Sequence, residues 1–200
     1  MCTYGKITFI IVKLIFLVKK NDINFIKQFR KMSALVTVLY DDGKVKYDVW
    51  HKDNTNGVFH NENGPAVICY YQNGDVKFEK CYVNDKLHNE DGPAIIYRNQ
   101  NGTITEECWY VNGKLHNKDG PAIKYYYPNG TITEECWYVN GKLHNEDGPA
   151  IKYYLNGTIT EECWYVNGKL HNEDGPAIKY YSNGNLESEQ WWVDGKKYFK

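Results

Sequence analysis

From about residue 36 onward the chain alternates short apolar, aromatic-rich runs with short polar breaks. Runs such as Thr131 to Val139 and Lys142 to Tyr154 are rich in Ile, Val, Thr, Tyr and Trp, residues that suit a pleated, half-buried surface. The breaks carry Asn-Gly pairs. One set precedes the Thr-Ile-Thr run, at Asn101-Gly102, Asn129-Gly130 and Asn156-Gly157. The other follows the Trp-Tyr-Val run, at Asn112-Gly113, Asn140-Gly141 and Asn167-Gly168. Asn and Gly both tolerate the positive φ that tight hairpins need. No run shows helical spacing with caps, so the pattern predicts two antiparallel strands per unit.

The units recur on a fixed beat. HNENGPA begins at His60, HNEDGPA at His88, HNKDGPA at His116, and HNEDGPA again at His144 and His171, giving spacings of 28, 28, 28 and 27 residues. A regular period of this length marks a repeat architecture. The second strand of each unit is interrupted by a segment such as Asn145-Glu146-Asp147-Gly148-Pro149. Proline gives no ladder hydrogen bond, so a bulge or bend is expected there once per unit, curving the sheet. The predicted fold is all-β: an elongated, single-layer antiparallel meander of five to six units. Eleven strands would make a long axis on the order of 50 Å. Residues 36–59 read as a worn first unit, with Asp42-Gly43 at the turn and Trp50 seven residues beyond, as Trp137 lies beyond Gly130. The last unit drifts as well and ends in Lys196, Lys197 and Lys200, as the terminal unit of an array must.

Trp137-Tyr138-Val139-Asn140-Gly141-Lys142-Leu143-His144, followed after the bend by Tyr153-Tyr154-Leu155-Asn156-Gly157, resembles the MORN-repeat variant family. The LHNEDGPA flavour is similar to repeat proteins encoded by large DNA viruses of amoebae. The resemblance covers about residues 36–200. It departs from the ordinary MORN pattern, which has a shorter period and a Gly after the His where this chain has Asn. The resemblance implies a β-repeat fold and a binding role, to lipid or to protein, with any enzymatic activity in such proteins carried by another domain.

Residues 1–31 stand apart from the repeat and divide the chain into a leader and a β-repeat domain from 32 to 200. Seven basic residues against Asp22 give the leader a charge of +6, leaving −7 on the remainder of a chain whose net charge is −1. The apolar run Ile7 to Val18 is broken by Lys13, is too short to span a bilayer, and is followed by Lys19-Lys20 instead of a small-residue cleavage site. Three readings stand: translation beginning at Met32, a membrane-associating leader, or a packed cap.

The repeated polar residues suggest chemistry only until their spacing is considered. Cys108, Cys136 and Cys163 share one position of the unit; two strands per unit put equivalent residues beyond bridging distance, and no C-x-x-C pair exists. They read as small packing groups in a reducing compartment, which suggests the cytoplasm. The five aligned histidines offer one imidazole per rung, so a His-Asp bond pinning each bend is favoured over a metal site. Glu106-Glu107, Glu134-Glu135 and Glu161-Glu162 face opposite sides of a strand and pair with lysines such as Lys124 and Lys152 instead of sharing a substrate. The Asn-Gly-Thr sequons coincide with hairpin turns. No catalytic residue, cofactor or metal is assigned.

The aromatic residues are the candidate partner-binding groups. Trp109, Trp137 and Trp164 share one position, and Tyr110, Tyr138 and Tyr165 follow on the opposite face. Cross-strand stacking accounts for one face; the other needs a cover. The function that follows is a non-enzymatic scaffold for protein–protein interaction, with a homodimer among the possible assemblies. The alternative is a lipid-binding protein tethered through its basic leader. The acidic repeat body disfavours nucleic acid and anionic membranes, which need clustered cations.

Overall fold

A computed structural model describes residues 34–52 and 57–199. The basic leader 1–31, and with it the question of a start at Met32, lies outside the described residues. Thirteen strands form one antiparallel sheet in strict chain order. They are Ala34–Leu39, Val45–His51, Val67–Tyr70, Val76–Lys80, Ile95–Arg98, Ile104–Cys108, Ile123–Tyr126, Ile132–Cys136, Ile151–Leu155, Thr158–Cys163, Ile178–Ser182, Asn185–Val193 and Lys196–Tyr198. The all-β meander expected from the pattern is therefore the observed fold, with two more ladder strands than the sequence count. At about 4.8 Å per strand its long axis is on the order of 60 Å.

Each full unit also carries a small hairpin outside the ladder, for example Tyr138–Val139 paired with Lys142–Leu143. Equivalent hairpins pair Tyr82–Val83 with Lys86–Leu87, Tyr110–Val111 with Lys114–Leu115, and Tyr165–Val166 with Lys169–Leu170. This corrects the reading of Thr131 to Val139 as one strand. The chain leaves the ladder at Trp137, whose N–H donates to Ala150 O at 2.7 Å while its own carbonyl accepts from His144 N at 3.0 Å. The first partner lies beyond the bend and the second across the small hairpin. In the last unit the corresponding hairpin stays within the sheet, as Asn185–Val193 runs on to pair with Lys196–Tyr198.

Two turn geometries close the ladder, and they explain the irregular period. Asn156 and Gly157 both have positive φ, 52° and 80°, forming a two-residue loop between Leu155 and Thr158. In the preceding unit three residues, Pro128-Asn129-Gly130, separate Tyr127 from Thr131; Tyr127 N donates to Thr131 O at 2.8 Å, and only Gly130 has positive φ. The 27-residue spacing is the unit with the shorter loop. The same bulge accompanies either loop, where the register shifts between Tyr125 and Tyr126 or between Tyr153 and Tyr154, so the pairing beyond it is shared. The worn first unit obeys the same rules: Gly43 has φ 84° and Trp50 N donates to Ala66 O at 2.7 Å.

The core is thin. Its buried residues are small or slender, Ala66, Ala94, Ala122, Ala150 and Ala177 with Cys and Ile, and no large side chain among the described residues is fully buried. Cys136, Ile151, Cys163 and Ile178 form a stripe on one face, where Ile123 pairs with Cys136, Cys136 with Ile151, and Cys163 with Ile178. Tyr138, Leu143, Tyr165 and Leu170 from the small hairpins pack on this stripe and cover one side of the sheet.

Candidate functional site

The two sheet faces carry different chemistry because side chains alternate along each strand. On the uncovered face Lys124 stands between Glu107 and Glu135, Lys152 between Glu135 and Glu162, and Lys179 between Glu162 and Glu189. The expected Glu–Lys register is present, and each of these lysines also sits over a tryptophan ring. Lys124 Nζ lies 5.3 Å from the ring centre of Trp109, Lys152 Nζ 5.2 Å from Trp137, and Lys179 Nζ 4.7 Å from Trp164, all within cation–π range. The glutamates accept from tyrosines instead: Tyr154 Oη donates to Glu135 Oε2 and Tyr181 Oη to Glu162 Oε2, each at 2.6 Å, and Tyr126 does the same to Glu107. In an earlier unit Arg98 replaces the tyrosine and pairs with Glu79 at 3.1 Å. Burial, then the carboxylate bond, pushes the Tyr181 hydroxyl up to about 12 and those of Tyr126 and Tyr154 higher.

On the covered face the first glutamate of each pair meets a thiol. Cys108, Cys136 and Cys163 donate to Glu106, Glu134 and Glu161 at 3.1, 3.1 and 3.2 Å. Burial first, and the glutamate second, pushes these thiols well above the ordinary range, so they stay protonated. The five cysteines among the described residues are free.

The histidines correct an expectation. Their Nδ1 atoms do not bond an Asp of their own bend. They accept from the hairpin turn of the following unit: Asn84 N to His60 at 3.1 Å, Asn112 N to His88 at 3.2 Å, Asn140 N to His116 at 3.4 Å, Asn167 N to His144 at 3.2 Å, and Asp194 N to His171 at 3.2 Å. Accepting at Nδ1 places the proton of a neutral ring on Nε2, which in His144 faces Glu146 at 3.6 Å. The bend is pinned instead by asparagine. Asn145 Nδ2 donates to Pro149 O at 2.9 Å and Asn145 Oδ1 accepts from Asp147 N at 3.2 Å; Asn61, Asn89, Asn117 and Asn172 repeat the first bond. Among the described residues no His, Cys, Asp or Glu group of three or more is placed to hold a metal ion.

Between successive bends lies a groove of about 430 Å³. Trp137, Tyr138 and Val139 line it, with His144 beside them; Asn117 to Gly120 form one wall and Asn145 to Asp147 the other. Its charged side chains are Lys118, Asp119, Glu146 and Asp147, an excess of acid. A groove of about 370 Å³ two units earlier has the same walls, with Glu62, Glu90 and Asp91 as its carboxylates and Cys81 where Trp137 stands. The structure thus separates the aromatics singled out from sequence. Trp109, Trp137 and Trp164 lie under lysines at the strand ends, and Trp137 also lines the groove. Tyr138 and Tyr165 pack on the core through the small hairpins, and Tyr110 holds the equivalent place in its hairpin. The groove's acidic walls were missed because they belong to bends 28 residues apart.

A family model described as the MORN repeat variant matches this chain at residues 66–84, 122–140, 146–167 and 173–190. Two of these matches, 66–84 and 122–140, start at the buried alanine and run through a ladder hairpin into the first strand of the small hairpin. Repeats of this kind are generally protein- or lipid-binding modules, and the repeat type is non-catalytic. No curated protein matches the chain, and no solved structure matches it.

Proposed function

We propose that the chain is a non-enzymatic scaffold that binds a protein partner through the grooves between its bends. The observation that carries this reading is the groove itself, lined by the half-buried Trp137 between two walls whose charge is mostly carboxylate. That chemistry fits a basic side chain, which gains a cation–π contact from the ring and an ion pair from the rim. The second acidic groove lies two units away, about 20 Å along the ladder, so an extended partner carrying several Lys or Arg residues engages both at once. The same charge disfavours an anionic membrane, because phospholipid headgroups would face Glu146 and Asp147. Among the described residues no helix is long and apolar enough to cross a bilayer. The lipid reading therefore rests on the basic segment 1–31 alone. A cytoplasmic location and a viral origin are parts of this proposal that the free thiols and the LHNEDGPA motif support.

The test is capture of partners on the immobilised chain and on a variant carrying Asp119→Lys, Glu146→Lys and Asp147→Lys, with phosphatidylserine vesicles as a second probe. The scaffold reading expects bound proteins that are basic, that elute with salt, and that the variant loses. Vesicle binding by the unmodified chain, with no protein lost by the variant, would overturn it in favour of lipid.

A further inference from the structure

The sheet has two ends, and they are unlike. Its last strand, Lys196–Tyr198, presents two exposed lysines, a common device against edge-to-edge pairing. The first strand, Ala34–Leu39, is outermost at the other end among the described residues. Residues 34–40, ALVTVLY, carry no charge, and Leu35, Leu39 and Val38 are 51, 39 and 36% exposed. A long, uncharged, apolar edge is the kind that folded proteins otherwise block.

Residues 35–39 read Leu-Val-Thr-Val-Leu in either direction. Such a strand complements itself. Antiparallel pairing about a two-fold axis at Thr37 sets Leu35 against the partner's Leu39, Val36 against the partner's Val38, and Thr37 against the partner's Thr37. The backbone is oriented for this. Tyr40 N–H points into its own hairpin, donating to Lys44 O at 2.8 Å, so alternation along the strand turns the N–H and C=O of Leu39, Thr37 and Leu35 outward. The Thr37 hydroxyl is already engaged with Asp48 Oδ1 at 2.6 Å, which fixes that side chain on the sheet face. The pairing keeps leucines with leucines on one face and valines with valines on the other.

We propose that this edge is a homodimer interface, where a second copy adds its own Ala34–Leu39 strand across Thr37 and joins two sheets into one. A palindromic edge generates an isologous contact, which closes at two copies, while the lysines at the far end stop further growth. The proposal stands apart from the groove reading and does not depend on it.

Sedimentation equilibrium of the full chain decides it, run from about 1 to about 200 µM because a single strand pair is a small interface. A 23.4 kDa chain should approach twice that mass at the upper end. Leu35→Lys with Leu39→Lys sets like charges against each other at both ends of the pair and should weaken the dimer by about tenfold or more. Leu35→Lys with Leu39→Glu sets opposite charges there and should restore it. Circular dichroism and thermal melting of each variant verify folding. A monomer throughout the range, or a dimer indifferent to both double substitutions, overturns the proposal.

Discussion

Replacing His144 by Leu or by Asn separates the two things an imidazole can contribute in this fold. The ring is largely buried, 15% exposed, and its Nδ1 accepts the Asn167 N–H from the next unit at 3.2 Å. Leucine keeps most of the volume and removes the acceptor. Asparagine loses ring volume but places Oδ1 close to where Nδ1 was. Asn167 is exposed at its turn, so a freed N–H regains water and the cost is the net worth of one hydrogen bond, about 1 kcal/mol. His144→Asn should retain most of that bond, giving the two variants opposite losses: packing in one, bonding in the other. A third variant, Asn167→Asp, leaves the backbone donor in place and should be neutral to within about 0.5 kcal/mol. The five staples are well separated, so their losses add. Changing all five histidines to leucine removes on the order of 5 kcal/mol, comparable to the lower range of a domain's whole stability. Equilibrium unfolding in urea, followed by tryptophan fluorescence, measures these differences. A weaker junction also lets units on either side unfold separately, which lowers the apparent m value. If all five leucines together cost less than about 1 kcal/mol, and unfolding stays as cooperative as before, the histidines do not join the units.

Asn145→Ala should cost about 1–2 kcal/mol, because it removes both bonds that shape the bend; urea midpoints check it, and a neutral result would shift the role to Pro149. Deleting Pro128 should convert a three-residue loop into the two-residue loop found at Asn156-Gly157, with a melting change of no more than a few degrees and an unchanged β spectrum. Ala150→Leu should lose about 1–3 kcal/mol, since the alanine has no exposed surface and a larger side chain has no room. Tyr70, Tyr125 and Tyr181, each pushed up to about 12 chiefly by burial, should ionise late in an ultraviolet titration. A folded value above the unfolded one means their stabilisation is complete below pH 10 and declines as pH rises towards 12, so alkaline unfolding should begin in that window. Ordinary phenol titration in the folded chain would refute the buried setting of these rings.

The ladder was readable because its signals are local. Asn129-Gly130 and Asn156-Gly157 mark turns through their own backbone preferences, and strand propensity fills the gaps between them. The missing residue of the 27-residue unit was visible too, since Tyr127-Pro128 of one unit aligns with Leu155 alone in the next. The break at Trp137 was hidden. Thr, Ile, Trp, Tyr and Val all favour continuing the strand, and the interruption comes with Ala150, beyond the bend, and His144, across the small hairpin, both bonding the tryptophan backbone. The partner of each histidine was hidden for the same reason, being 23 or 24 residues away in the next unit. The local Asp147 drew attention, while the bonds that shape the loop belong to Asn145, whose amide both donates and accepts. Of the site, the recurring tryptophans were legible; the acidic walls around Trp137 exist only when two bends are set side by side.

The bonds from each histidine to the next unit's turn have a genetic consequence. A unit gives one acceptor forward and takes one donor's partner from behind, so an extra copy inserted between two others meets the same contacts on both sides. Near-identical stretches such as Thr131 to Gly157 and Thr158 to Gly184 are also ready substrates for unequal exchange between sister sequences. Gain or loss of a copy then lengthens or shortens the molecule in steps of about 10 Å without disturbing its ends. Reach becomes a quantity that copy number adjusts, and folding places little restraint on that adjustment.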